Sequence, residues 1–226
     1  GDFEQSTIVA LVSKYFGSAP SGEFLSKSSL YAPLFPAGKS YEVSMDLQED
    51  KALVQMAWLT DDYWDIKRTR RLHVLASIID DRLRKVIREE SGDSYSPSAF
   101  STNSRIYQGY GKLVIEVMTD AGSLDPVIGQ INGVIQSLHD TSVSSDELER
   151  SKQPIVTSIR ERTETNGYWL SSVLSLSTRH PQQLDWSTSF LEDFQAITVD
   201  DMTRLIDSYL INNRRAIGII RSGHSD

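Results

Sequence analysis

The hydrophobic period switches from two to helical between Thr60 and Asp65. From Tyr41, the apolar residues Tyr41, Val43, Met45 and Leu47 alternate with polar ones, the period of a half-buried strand. Residues 51 to 60, "KALVQMAWLT", form a second and more apolar run, as expected of a central strand. "QED" between them fits a short hairpin turn, although it lacks the favoured glycine. From Asp65 to Glu90 the period becomes helical. Leu72, Leu75, Ile79, Leu83 and Val86 form one stripe, Ile78 and Ile87 widen it, and charges fill the rest. Gly92 supplies the stop. A pair of strands followed by one long amphipathic helix requires a sheet with a helix packed on it.

The rest of the chain repeats these materials. "YSPSAFSTN" and "YGKLVIEVMTD" read as strands, and Pro97 puts the first of them at an edge or a bulge. Asp125 followed by Pro126 reads as a helix cap with proline at the first helical position. Ile128, Ile131, Ile135 and Leu138 follow at helical spacing. Ser144 to Glu147 is a capping box opening a second helix, in which Pro154 predicts a kink or a late start. "NGYWLSSVLSLSTR" predicts a third helix, "TVDDMTRLIDSYL" a fourth capped by Thr198, and "RAIGII" a closing strand. Upstream of all this, Ile8, Leu11, Val12 and Tyr15 mark a short helix stopped at Gly17, and the proline-bearing stretch after it reads as an extended linker. The order strand, strand, helix, strand, strand, several helices, strand predicts an α+β fold: one mainly antiparallel sheet covered on one face by helices.

Composition narrows the chemistry. The 226 residues suffice for one large domain or two small ones. The net charge of -8 lacks the basic footprint of a nucleic-acid binder. Cysteine is absent, which removes disulfides, thiolate metal sites and cysteine nucleophiles. No apolar run has the length of a membrane span. No charged-then-apolar leader opens the sequence, which leaves localisation open.

The four histidines are His73, His139, His180 and His224; no two share a helix at a spacing of three or four residues. Neither H-x-x-E-H nor its reverse is present, so a metal site within this chain is not expected. A serine elbow and a phosphate loop are missing as well, and the adjacent carboxylates Asp80–Asp81 and Glu89–Glu90 point apart on a helix. The remaining candidates are Arg88, at the close of the long helix, and Tyr95, seven positions later. A turn at Gly92 would bring both to one end of the sheet. A guanidinium can clamp a carboxylate or a peptide carbonyl, and a tyrosine hydroxyl can donate to a developing oxyanion. The same residues also have plainer readings, as a charge complementing a helix C-terminus and as a strand former.

The stretch "LRKVIREESGDSYSPSA" resembles the L-R-E-x-x-G-x-x-Y-S segment of non-metal-binding domains in the pitrilysin/insulysin family of zinc peptidases, which includes mitochondrial processing peptidase. The opening "GDFEQSTIVALVSKYFGSAP" resembles the end of a preceding family domain, and "TNGYWLSSV" and "ITVDDMTRLIDSYL" resemble late helices of the domain. The resemblance implies a tail helix over residues 1–20, a linker over 21–39, and a non-zinc-binding α+β domain over 40–226 of the mitochondrial-processing-peptidase type. It implies substrate binding by Arg88 and Tyr95, with no metal here and zinc in a partner domain or subunit that carries H-x-x-E-H. The isolated chain would then be inactive and its partners would be that zinc domain and a peptide. Bacterial relatives of this layout are often periplasmic. The sequence departs from the motif at Ser91 and Asp93, where an apolar residue is commoner. The alternative within the same fold is a scaffold or assembly subunit without proteolysis, and a remoter one is an unrelated α+β binding domain.

Overall fold

A computed structural model describes residues 2–20, 33–46, 49–91 and 96–222, without the side chains of 88–91. It contains two compact units, residues 1–31 and 32–226. The first holds α1 (Gln5–Phe16), which stops at Gly17. The Gly17 N–H donates to the Ser13 carbonyl at 3.0 Å. A Cβ on Gly17 would lie 2.4 Å from that oxygen, so the close approach selects glycine here.

The second unit is built on five strands: β1 (Ser40–Met45), β2 (Lys51–Thr60), β3 (Ser96–Asn103), β4 (Gly111–Asp120) and β5 (Ala216–Ser222). Their order across the sheet is β1-β5-β2-β4-β3. The β1–β5 pair is parallel and the other three are antiparallel. Alternation decides the faces. Val54, Met56 and Trp58 of β2 lie opposite Val117, Ile115 and Leu113 of β4, and all six are buried. Onto this face pack α2 (Ile66–Ser91), α3 (Leu124–Asp140) and α6 (Val199–Tyr209), through Leu72, Leu75, Ile79, Leu83, Ile131, Ile135, Met202 and Ile206. Burying each such aliphatic side chain contributes roughly 1.5–3 kcal/mol. The opposite face carries polar cross-strand pairs, Lys51–Asp120 at 2.9 Å and Gln55–Glu116 at 2.8 Å, so the α+β prediction of one helix-covered face describes the observed fold.

Three local expectations are overturned. The strand expected from Tyr41 is neither half-buried nor β2's hairpin partner: β1 is exposed along its whole length, and β5 lies between it and β2, while Leu47 and Gln48 of the expected strand end and turn lie outside the described residues. The apolar side chains Tyr41, Val43 and Met45 share the face opposite the helices, so alternation survives while burial does not. Asp125 is not the cap of α3, which begins at Leu124 directly after a 3-10 turn over Ala121–Ser123. Leu124 is fully buried and pulls the start forward, and Pro126 still falls where its missing N–H breaks no helical bond. The "NGYWLSSVLSLSTR" segment holds a π-helical turn, Tyr168–Leu174, instead of an α-helix. It follows α4 (Ser145–Thr163), which runs through Pro154 as one element. The Trp169 Nε1 donates to the Thr163 carbonyl at 2.7 Å and so occupies an acceptor at the end of α4.

Other local chemistry is closer to expectation. At the start of α4 only half of the expected capping box forms: Ser144 Oγ accepts from the Glu147 N–H, while the Glu147 carboxylate is taken by Arg82; Thr198 and Asp201 form a complete capping box on α6. Pro97 lies in β3, an edge strand. Along that edge the Ala99 N–H is taken by Asp80 Oδ1 of α2 at 2.9 Å, which removes a free strand donor.

Candidate functional site

The two residues singled out from the sequence flank the corner between α2 and β3. Tyr95 and the side chain of Arg88 lie outside the described residues, as does the proposed stop at Gly92, so their mutual geometry is not described. What holds the corner is described. Ile87, one residue before Arg88, is fully buried in the core, and Pro97, two after Tyr95, is buried in β3. Asp80 ties the two elements together, accepting from Ala99 N–H with one oxygen and from Arg84 Nε at 2.7 Å with the other. The helix end and the strand start that bracket residues 88–95 are therefore anchored on both sides.

One turn before Arg88, α2 borders a groove of about 790 Å³ whose other wall is α3. Arg82, Lys85 and Val86 line it from α2, and Gly129 and Gly133 from α3. A Cβ on either glycine would meet nothing within 4 Å, so the groove exists because side chains are missing there. Arg82 at its margin is fixed: Nε and Nη2 reach the two Glu147 oxygens at 2.7 and 2.9 Å, and Nη1 reaches Ser137 Oγ at 3.1 Å. The hydrogen bonds from Arg82 hold the Glu147 carboxyl below the usual glutamate range, against the opposing effect of burial.

No group of three or more His, Cys, Asp or Glu side chains among the described residues is placed to hold a metal. His73 is exposed on α2. His139 lies with Nε2 3.1 Å from the Leu210 carbonyl. His180 stacks on Trp64 with ring centroids 3.7 Å apart, and His224 lies outside the described residues. The donor set needed for zinc is not assembled among them.

Two clusters at the N-terminal end of α2 are invisible in the sequence. Tyr63 meets Trp64 and Trp186 edge-on, with centroids 5.7 and 5.8 Å apart, and Arg105 lies 4.2 Å over the Tyr63 ring. Next to them, Arg70 pairs with Asp193 and donates to the Trp186 carbonyl at 2.7 Å, fastening α5 (Gln182–Gln195) to α2. Helix α5 was not anticipated at all. Its weak apolar stripe gives little signal, and Arg70 and Asp193 are 123 residues apart.

The described chain is an α+β domain whose described residues assemble no metal centre of their own. A family model described as the peptidase M16 inactive domain matches residues 1–155. The chain belongs to that family. Solved structures share its fold. The periplasmic protease PqqL from Escherichia coli matches with a TM-score of 0.74 at 18% identity, over 99% of this chain and 25% of that one. A protease from Helicobacter pylori matches with a TM-score of 0.77 at 15% identity, over 98% and 53%. A peptidase M16 inactive domain from Pseudomonas fluorescens matches with a TM-score of 0.70 at 18% identity, over 100% and 53%. The chain thus spans about a quarter to a half of the length of these three proteins. No curated protein matches it in sequence.

Proposed function

We propose that this chain is the substrate-holding domain of a zinc endopeptidase, closing a proteolytic chamber whose metal is held by another domain or subunit. One observation supports this above the others: the inactive-domain family match runs through residues 1–155 and so includes Arg88 and Tyr95. In this reading residues 1–20 end a preceding domain, 21–39 link, and 40–226 form the domain itself. Activating the attacking water is the work of zinc held elsewhere. The tasks left to this chain are positioning and charge stabilisation. Arg88 clamps the backbone carbonyl of a peptide with its forked donors. Tyr95 donates its hydroxyl to the oxygen that gains charge as the peptide bond is attacked. The anchors at Ile87, Pro97 and Asp80 support the role, because a donor stabilises a transition state only when its own position is fixed beforehand.

The test is Tyr95→Phe in the complete enzyme, with kcat measured on a peptide substrate. Loss of one oxyanion donor lowers kcat by about 10²–10³, while the melting temperature stays put. Unchanged turnover sinks the transition-state role. An intact H-x-x-E-H in the parent protein, together with this loss, also separates the peptidase from a scaffold of the same fold.

A further inference from the structure

The two edges of the sheet are finished differently. At one edge β3 offers little to a further strand. The Ala99 N–H points outward to Asp80, and Pro97, which turns the same way, has no N–H to give. At the other edge β1 has no such guard. Its residues, "SYEVSM", include no proline, lysine or glycine. The Ile217 N–H donates to the Lys39 carbonyl at 2.9 Å, and this sets the parallel ladder. Tyr41 and Val43 bond to β5, while Ser40, Glu42 and Ser44 turn their N–H and C=O groups outward. Among the described residues no backbone hydrogen bond reaches these outward groups. Tyr41, Val43 and Met45 stand half-exposed beside them, on the face opposite the helices. A regular open edge with a strip of apolar side chains is a template for another strand.

We infer that β1 pairs with β1 of a second copy of this chain, antiparallel and around a two-fold axis at Val43. Charge selects this register. Centring the ladder on Glu42 puts two Glu42 carboxylates directly opposite, and centring it on Ser44 puts Glu42 opposite Asp46. Centring on Val43 does neither. Glu42 then faces the partner's Ser44 in a hydrogen-bonded pair, because both residues turn their backbone groups outward. Val43 faces the partner's Val43, and Tyr41 the partner's Met45, at the non-hydrogen-bonded positions. Side chains lie closest there, and a ring meets a sulfur. The two five-stranded sheets become one continuous sheet, and the apolar strips of both copies join on its open face. The surface is self-complementary, as a closed two-fold dimer requires. One short strand pair is a small interface, below roughly 1,200 Å² in total, so the dimer is weak and concentration-dependent. The pairing is independent of the peptidase reading and stands or falls separately.

The experiment is sedimentation equilibrium of the 226-residue chain over a concentration series. The average mass should rise from that of one chain toward that of two. Val43→Lys brings two cations face to face and weakens association about tenfold. Its side chain is exposed, so the melting temperature of the variant is unchanged. Val43→Glu has the same effect. An equimolar mixture of the two variants associates at least as well as wild type, because opposite charges then meet across the axis. Phe100→Lys places the same charge on the same open face at the β3 edge and leaves association unchanged. A chain that stays monomeric at every concentration overturns the proposal, including the case in which a strand of another protein takes the edge. So does a mixture that fails to associate, or an equal loss in Phe100→Lys.

Discussion

At its N-terminal end α2 carries Arg68, Arg70 and Arg71, and each meets an aspartate delivered by another part of the chain: Asp61, Asp193 and Asp201. At its C-terminal end the same helix carries Arg82, fixed to Glu147 of α4, and then borders the groove opened by Gly129 and Gly133. The first end is a set of fasteners that draws α5 and α6 onto α2. The second combines one fastener with unfilled space. A helix that is uniformly amphipathic in sequence thus has one end committed to cohesion and another that leaves room beside it. The residues proposed to meet substrate follow the roomier end.

The largest effect expected from this contrast is at Arg70. Its side chain and that of Asp193 are each only 10% exposed. Arg70→Met leaves the buried Asp193 carboxylate with only Ser189 Oγ at 3.3 Å and the more distant Lys67 at 3.9 Å, which costs about 3 kcal/mol, the lower end for a broken buried pair. Urea denaturation should show the midpoint falling without a large change in slope. Replacing both partners, Arg70→Met with Asp193→Leu, should recover most of the loss. A single variant that costs less than about 1 kcal/mol would break the distinction between the two ends.

At the other end the Arg82–Glu147 pair is less deeply buried, and Arg82→Met is expected to cost about 2 kcal/mol. The pH dependence has a definite sign. Because Arg82 holds the Glu147 carboxyl below its ordinary range, the contribution is complete above that range. It is lost as pH falls through the lowered folded value. Wild type and Glu147→Gln should therefore differ in melting temperature at neutral pH and converge in acid. A gap that persists in acid would assign the effect to packing instead of charge.

The sheet, α2 and the caps of α4 and α6 were legible because each rests on contacts within about ten residues or on a strong period. Thr198 and Asp201 announce a helix start whatever surrounds them. The position of β1 was not legible. Its alternation is real, but only the intervention of β5, some 170 residues later, decides that it is an exposed edge and not half of a hairpin. Helix α5 was hidden for a related reason. It is held by Phe194 in the core and by one guanidinium reaching Asp193 and the Trp186 carbonyl, and no local pattern records either partner. Of the candidate site, the sequence supplied the two residue identities through a motif, and the structure adds the anchors on either side of them.

A smaller effect sharpens the account of the N-terminal end. Tyr209→Phe deletes the bond to Asp61 and should cost about 1 kcal/mol. Burial and the neighbouring Asp61 carboxylate push the Tyr209 hydroxyl up to about 12, against roughly 10 in an unfolded chain. The folded value is the higher one, so the contribution is intact below about pH 10 and fades as pH rises toward 12. Wild type should lose melting temperature across that window more steeply than Tyr209→Phe. Parallel curves would mean that the hydroxyl is not engaged.

The smallest expected change tests the space at the opposite end. Gly133 lies within α3, faces the groove and has no atom within 4 Å of the place where a Cβ would stand. A glycine inside a helix costs roughly 0.5–1 kcal/mol relative to alanine, because it orders a freer backbone. Gly133→Ala should therefore stabilise the chain by about that amount, the reverse of what a packed interface would give. Loss of stability would show that the groove closes in solution. A gain in stability would leave the groove open, and under the proposed peptidase reading it makes the same variant informative in the complete protein: an unchanged KM for a peptide places the substrate path elsewhere, whereas a raised KM with normal kcat places part of the bound peptide along α3.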